Sequence, residues 1–191
     1  MVIDNPEKLK ELAQQTLRSI GIHEEVLVKV KKLRDPYRLA CYRSRSQFTN
    51  GKPIFWISSD IEEKVMNAWD DPGKIPGVVS DCIVHEYGHV IYEYAELRDK
   101  ELFARIKESF PDDEERFAEQ IVFMVNTQRK GLPLSELSTR AREIIDEYAR
   151  HFPWKSAIVK EHCEEKGIPA FEPECHELEP EDLRGLPAMS P

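Results

Sequence analysis

The segment D-D-P-G-K-I-P-G, residues 70 to 77, divides the chain into two kinds of pattern. Its prolines and glycines read as a loop, because proline removes a backbone donor and glycine weakens helix and strand alike. Before it stand three β-like runs, V-L-V-K-V (26–30), L-A-C-Y-R-S (39–44) and P-I-F-W-I-S (53–58). They are separated by R-D-P-Y and T-N-G-K, both rich in turn residues, and together they predict a small antiparallel sheet. After it the periodicity is helical throughout, predicting helices over 78–97, 113–129, 135–150 and 154–166 and a shorter one over 99–108. Leu9, Leu12, Ala13, Leu17 and Ile20, closed by Gly21, add an amphipathic helix over 6–20. With no internal repeat, the order helix, sheet, helices is that of an α+β fold.

A chain of 191 residues accommodates one sizeable core, and we assign a single domain to residues 1–166. From Gly167 prolines alternate with acids, so residues 167–191 read as a Pro-rich acidic tail rather than core. A net charge of -9 argues against nucleic acid as a partner, since phosphate-binding surfaces gather lysine and arginine. No apolar stretch reaches signal-peptide or membrane-spanning length, so no membrane partner is expected and the expected location is cytoplasmic. In that setting the widely spaced Cys41, Cys82, Cys163 and Cys175 are expected as free thiols or metal ligands rather than a disulfide framework.

The predicted helix over 78–97 carries S-D-C-I-V-H-E-Y-G-H. His85 and His89, four apart, lie about 40° apart around a helix axis and roughly 6 Å apart along it, so both imidazoles can reach one zinc ion. Glu86 projects to the side, where its carboxylate can act as general base on a water held by that ion. His-Glu also occurs at His23-Glu24 and His176-Glu177, but neither has a second histidine at that distance.

Catalytic zinc takes three protein ligands and keeps one position open. The metzincin extension would place glycine at 92 and histidine at 95, where Tyr92 and Ala95 stand. A carboxylate from a neighbouring helix is the other common solution, and E-E-R-F-A-E-Q-I-V-F-M-V (114–125) supplies two on one face, Glu115 and Glu119. One can ligate zinc while the other hydrogen-bonds a ligand histidine through its free ring nitrogen. Asp112, Asp113 and Glu114 read as a solvated acidic helix start.

H-E-Y-G-H followed by E-R-F-A-E resembles the gluzincin zinc metallopeptidases, particularly the minigluzincins and the protease domain of lethal-factor-type toxins. The resemblance covers residues 78–125 and implies a zincin-like fold, one catalytic Zn2+, His85, His89 and Glu115 as its ligands, Glu86 as general base and Glu119 behind a ligand histidine. It implies a zinc metalloendopeptidase acting on peptide or unfolded protein. The toxin-like tyrosine that precedes the third ligand and stabilises the oxyanion has no counterpart between Asp99 and Glu114; Tyr148 and His151 are candidates for that role, against the plainer reading of a packed tyrosine and an exposed histidine. That gap motivates the alternative, a zinc-stabilised binding or regulatory protein of gluzincin fold without turnover.

Other expectations concern substrate, Cys82 and the tail. The run P-I-F-W-I-S, as an edge strand, would pair with extended substrate by β-augmentation. Cys82, three residues before His85, reads as a small buried hydrophobe rather than a fourth ligand. Cys163, Cys175 and His176 can form a second metal site, or the tail can lay a thiol and an imidazole on the open zinc position and hold the enzyme latent, as in zymogen-like small gluzincins. A tail merely packed or disordered is the plain alternative.

Overall fold

A computed structural model describes residues 6–24, 26–33, 38–43, 52–111 and 113–151. The helix predicted over 154–166, the tail and its Cys163, Cys175 and His176 lie outside the described residues.

Helix α1 (Pro6–Ser19) buries Leu9, Ala13 and Leu17, and Gly21 closes it at φ 87°, a left-handed conformation that favours glycine. Strands β1 (Leu27–Lys31), β2 (Ala40–Arg43) and β3 (Ile54–Ser58) follow, in the spatial order β1-β3-β2. The sheet is mixed, which corrects the antiparallel expectation: β2 runs antiparallel to β3, with Ala40 opposite Ile57, but β1 runs parallel to it, with Leu27 opposite Ile54. The physical reason lies in β3, whose Phe55 and Ile57 are fully buried. The run with the most core-facing apolar surface takes the centre, where both its edges are hydrogen-bonded, and its neighbours become the edges. P-I-F-W-I-S is therefore not an edge strand.

Helix α2 (Ile61–Trp69) was not expected from the sequence. It buries only Ile61 and Val65, one turn apart, which is too short an apolar stripe to register as periodicity. It ends at Asp70, at φ 49°. A short 3-10 turn over Pro72–Lys74 leads into α3 (Ile75–Arg98). This helix begins earlier than predicted because Pro76 sits in its first turn, where a missing N–H costs nothing. Helices α4 (Lys100–Ser109), α5 (Glu114–Arg129) and α6 (Glu136–His151) complete the described chain. Asp99 and Asp113 cap α4 and α5, their carboxylates accepting from the Leu102 and Arg116 amides. No helix among the described residues is long and apolar enough to cross a membrane.

Helix α3 is the hub, touching α1, α2, α4, α5 and β2. Val79, Ile83, Val84, Tyr87, Val90, Ile91 and Ala95 fill the core from it. Its closest neighbour is α5. A methyl group placed on Gly88 would lie 2.7 Å from the Cα and 2.8 Å from the Cβ of Ala118, nearer than carbon atoms pack. Glycine facing alanine thus sets how near the two helices come. Farther along, Arg129 donates to the Ser80 hydroxyl (2.6 Å) and to Asp81 (3.3 Å), and the Asn126 amide donates to Asp81 (3.1 Å). Gly88→Val would push the helices apart. Helix propensity returns only a few tenths of a kcal/mol, whereas overpacking against backbone costs about 1–3 kcal/mol or more. We expect a loss of about 2 kcal/mol or more in urea unfolding, with weakened zinc uptake.

Candidate metal centre

Three stripes divide α3. One faces the core, a second carries His85 and His89 toward the start of α5, and a third carries Glu86 and Glu93, seven apart, toward β2. The first two turns of α5 bring Glu114 and Glu115 over the histidines because Gly88 and Ala118 hold the helices close.

His85, His89 and Glu115 come together as the sequence predicts. One donor atom from each lies within 4.8 Å of the others. The two Nε2 atoms are 3.3 Å apart, His85 Nε2 is 3.1 Å from Glu115 Oε2, and His89 Nε2 is 3.6 Å from Glu115 Oε1. Ligands at zinc bond lengths of about 2.0–2.1 Å in a tetrahedron are separated by about 3.3 Å, close to the separation of the two imidazoles and to the approach of each to one oxygen of Glu115, Oε2 for His85 and Oε1 for His89. The chemistry fits as well: two imidazoles and a carboxylate form a common catalytic donor set. Glu115 is 63% exposed, so the triangle opens to solvent on one side.

The carboxylate behind His89 is Glu114, not Glu119. Glu114 Oε1 lies 2.6 Å from His89 Nδ1, so Nδ1–H donates to it and leaves a lone pair on Nε2, turned toward the triangle. Glu119 lines the same cleft but makes no hydrogen bond to either histidine among the described residues. Position on a helical face selects Glu115 and Glu119 as a pair, but the Nδ1 side of His89 is reached from the very start of α5. The residue read as a solvated helix start is thereby part of the site.

Glu86 accepts a 2.5 Å hydrogen bond from the Tyr42 backbone N–H, and the Tyr42 hydroxyl donates to Glu93. Burial raises the Glu86 pKa, opposed by the Tyr42 N–H and then by the charges of His89, His85 and Arg38. Tyr42 belongs to β2, the edge strand that borders the cleft together with Arg38 and Leu39. The Leu39 carbonyl accepts from Ser58 in β3, so the alternate residues Ala40 and Tyr42 turn their backbone groups outward. The cleft-side edge expected of P-I-F-W-I-S belongs instead to β2. Tyr42 was not singled out from the sequence, where a strand tyrosine carries no signal of its own.

Tyr148 is not at the site. It is fully buried, and its hydroxyl lies 3.2 Å from that of Tyr87 and 3.4 Å from Glu24 Oε2. A phenol held there supports the packing behind α3 and cannot serve an oxyanion in the cleft. The side chain of His151 lies outside the described residues. Cys82 lines the cleft, and burial, then Glu86 and Asp81, push its thiol pKa up to about 12. The thiol stays protonated at neutral pH, and its sulfur is not among the donor atoms that converge with the two histidines.

Searches against protein-family models, curated proteins and solved structures find no match.

Two outcomes are expected of this geometry. Glu114→Gln keeps the shape but removes the charge behind His89, and should weaken zinc affinity 10- to 100-fold in a chelator competition titration. Cys82 should react with iodoacetamide at pH 8 far more slowly in the folded protein than in urea, as followed by mass spectrometry, because only the thiolate attacks.

Proposed function

We propose that the protein is a zinc-dependent metalloendopeptidase of gluzincin type, acting on peptides or unfolded protein segments. The observation that supports this most is the convergence of His85, His89 and Glu115, whose donor atoms lie within 4.8 Å of one another, with the two Nε2 atoms 3.3 Å apart. Zinc bound there would polarise a scissile carbonyl and lower the pKa of water at its open position.

The chain's own residues supply the rest. Glu86 stands one residue from His85 with a raised proton affinity, suited to take a proton from the attacking water and pass it to the leaving amine. The Tyr42 N–H keeps that carboxylate aimed and offsets part of the cost of its burial. The outward-turned backbone of Ala40, in the same strand, offers an extended peptide an edge to pair with. Glu114 keeps His89 in the tautomer that ligates.

A second reading, a zinc-holding binding protein without turnover, draws on the position of Tyr148. With that phenol in the core, Tyr42 is the one tyrosine lining the cleft among the described residues, and its hydroxyl is engaged by Glu93. The two readings part on a single comparison. Wild-type protein should take up about one zinc per chain and cleave an unfolded protein, while Glu86→Gln should take up the same zinc and cleave nothing. Zinc uptake without cleavage by the wild type would favour the binder, and hydrolysis retained by Glu86→Gln would sink the proposed role of that residue.

A further inference from the structure

The cleft extends well beyond the metal centre. From Glu115, the residues of α5 that line it are Glu119, Val122, Phe123 and Asn126, a single helical face continued by Lys130 just past the helix end. Opposite them stand Cys82, Asp81 and Val78 on α3, and Trp69 at the end of α2. The whole has a volume of about 950 Å³, far more than a metal and a water require.

Its chemistry changes along its length. At the far end the polar groups satisfy one another, with Asp81 accepting from both Asn126 and Arg129. Beside that pairing, Val78, Val122, Trp69 and Phe123 give the cleft an apolar surface. Large hydrophobic side chains left in water are few among the described residues: Trp69, Leu97, Phe123 and Leu132. Trp69 (50% exposed) and Phe123 (57% exposed) come from different helices, yet border the same cleft. Two aromatics converging on a cleft that also contains a metal centre point to a ligand that covers them.

The helices supply the scale. At 1.5 Å rise per residue, Phe123 lies about 12 Å from Glu115 along α5, and Val78 about 10 Å from His85 along α3. An extended peptide advances about 3.4 Å per residue, so that distance corresponds to three or four residues. We propose that the cleft selects a large apolar side chain three or four residues from the scissile bond of an extended peptide, and that Phe123 and Trp69 receive it. The proposal rests on the metallopeptidase reading, which puts the scissile bond at the histidines. It adds that short peptides ending before this surface are poor substrates.

Two measurements test it. In the first, an unfolded protein is digested with wild type and with Phe123→Ser, and the cut sites are mapped by mass spectrometry. Wild-type cuts should be enriched in Leu, Phe, Ile, Met or Trp three or four residues to one side of the bond. For a matched pair of ten-residue peptides, Leu against Ser at that position, kcat/KM should differ about ten-fold or more in wild type and converge in Phe123→Ser. Phe123 is exposed, and unchanged zinc uptake and urea midpoint would show that the variant is folded. In the second, zinc-loaded Glu86→Gln is titrated with the same labelled peptides by anisotropy, with Trp69 fluorescence reporting occupancy. The Leu peptide should bind about ten-fold more tightly, and the added change Phe123→Ser should abolish that preference. Cleavage without apolar enrichment, or a preference untouched by Phe123→Ser, would overturn the selectivity while leaving the peptidase reading intact. Apolar-selective binding with no cleavage by wild type would remove the peptidase reading and, with it, the scissile bond to which the proposal refers.

Discussion

The contact between Gly88 and Ala118 governs the rest of the structure. Gly88 is the residue within H-E-Y-G-H at which α5 comes closest, and the space beside it is already filled by the Ala118 backbone. Because no side chain intervenes, the start of α5 comes near enough to α3 for Glu115 to reach both histidines and for Glu114 to reach the back of one. A wider separation would leave two imidazoles and two carboxylates on separate surfaces, each solvated on its own. The same crossing aligns Arg129 and Asn126 with Ser80 and Asp81 at the other end, so the helices are held at both ends of the cleft they border.

The polar side chains of α3 are arranged by stripe, and each stripe has a different partner. The histidine stripe meets carboxylates from α5, whose negative charge favours a cation and fixes the tautomer of His89. The Glu86 and Glu93 stripe meets β2, where one residue, Tyr42, bonds the first through its backbone and the second through its hydroxyl. This ties the edge strand to the helix. In the proposed peptidase the same strand would both aim the general base and present backbone to the substrate, so base and substrate would share one reference frame. Behind the helix, Tyr87, Tyr148 and Glu24 form a buried hydrogen-bonded group that supports α3 from the core side.

Much of this was legible because it depends on local spacing. Among the described residues, the predicted helical and strand segments come from periodicities of 3.6 and 2, and their limits lie within a few residues of those observed. The pairing of His85 with His89 follows from helical rise alone. What spacing leaves undecided is which groups meet across elements. Glu119 and Glu115 share a face, yet the partner of His89 Nδ1 is Glu114, because the crossing of α3 and α5 brings the first turn of α5 over that nitrogen. A tyrosine near a helix end looks available to a cleft, but Tyr148 reaches Glu24, 124 residues away in the chain. Helix α2 escaped notice because two buried positions make no periodic signal, though its final residue, Trp69, borders the cleft.

The sequence by itself determined most of the segments, the α+β order and the pairing of His85 with His89, since helix geometry and donor chemistry act over a few neighbouring positions; it left Glu115 and Glu119 as equal candidates, and only the resemblance to gluzincins singled out Glu115. Tertiary structure decided the strand order, the identity of the cleft-side edge as β2, the role of Glu114 and the removal of Tyr148 from the site. Those outcomes depend on the packing of whole elements, on which strand has the most surface to bury and on how closely two helices can approach. Such quantities belong to pairs of distant segments, and no single stretch of chain contains them.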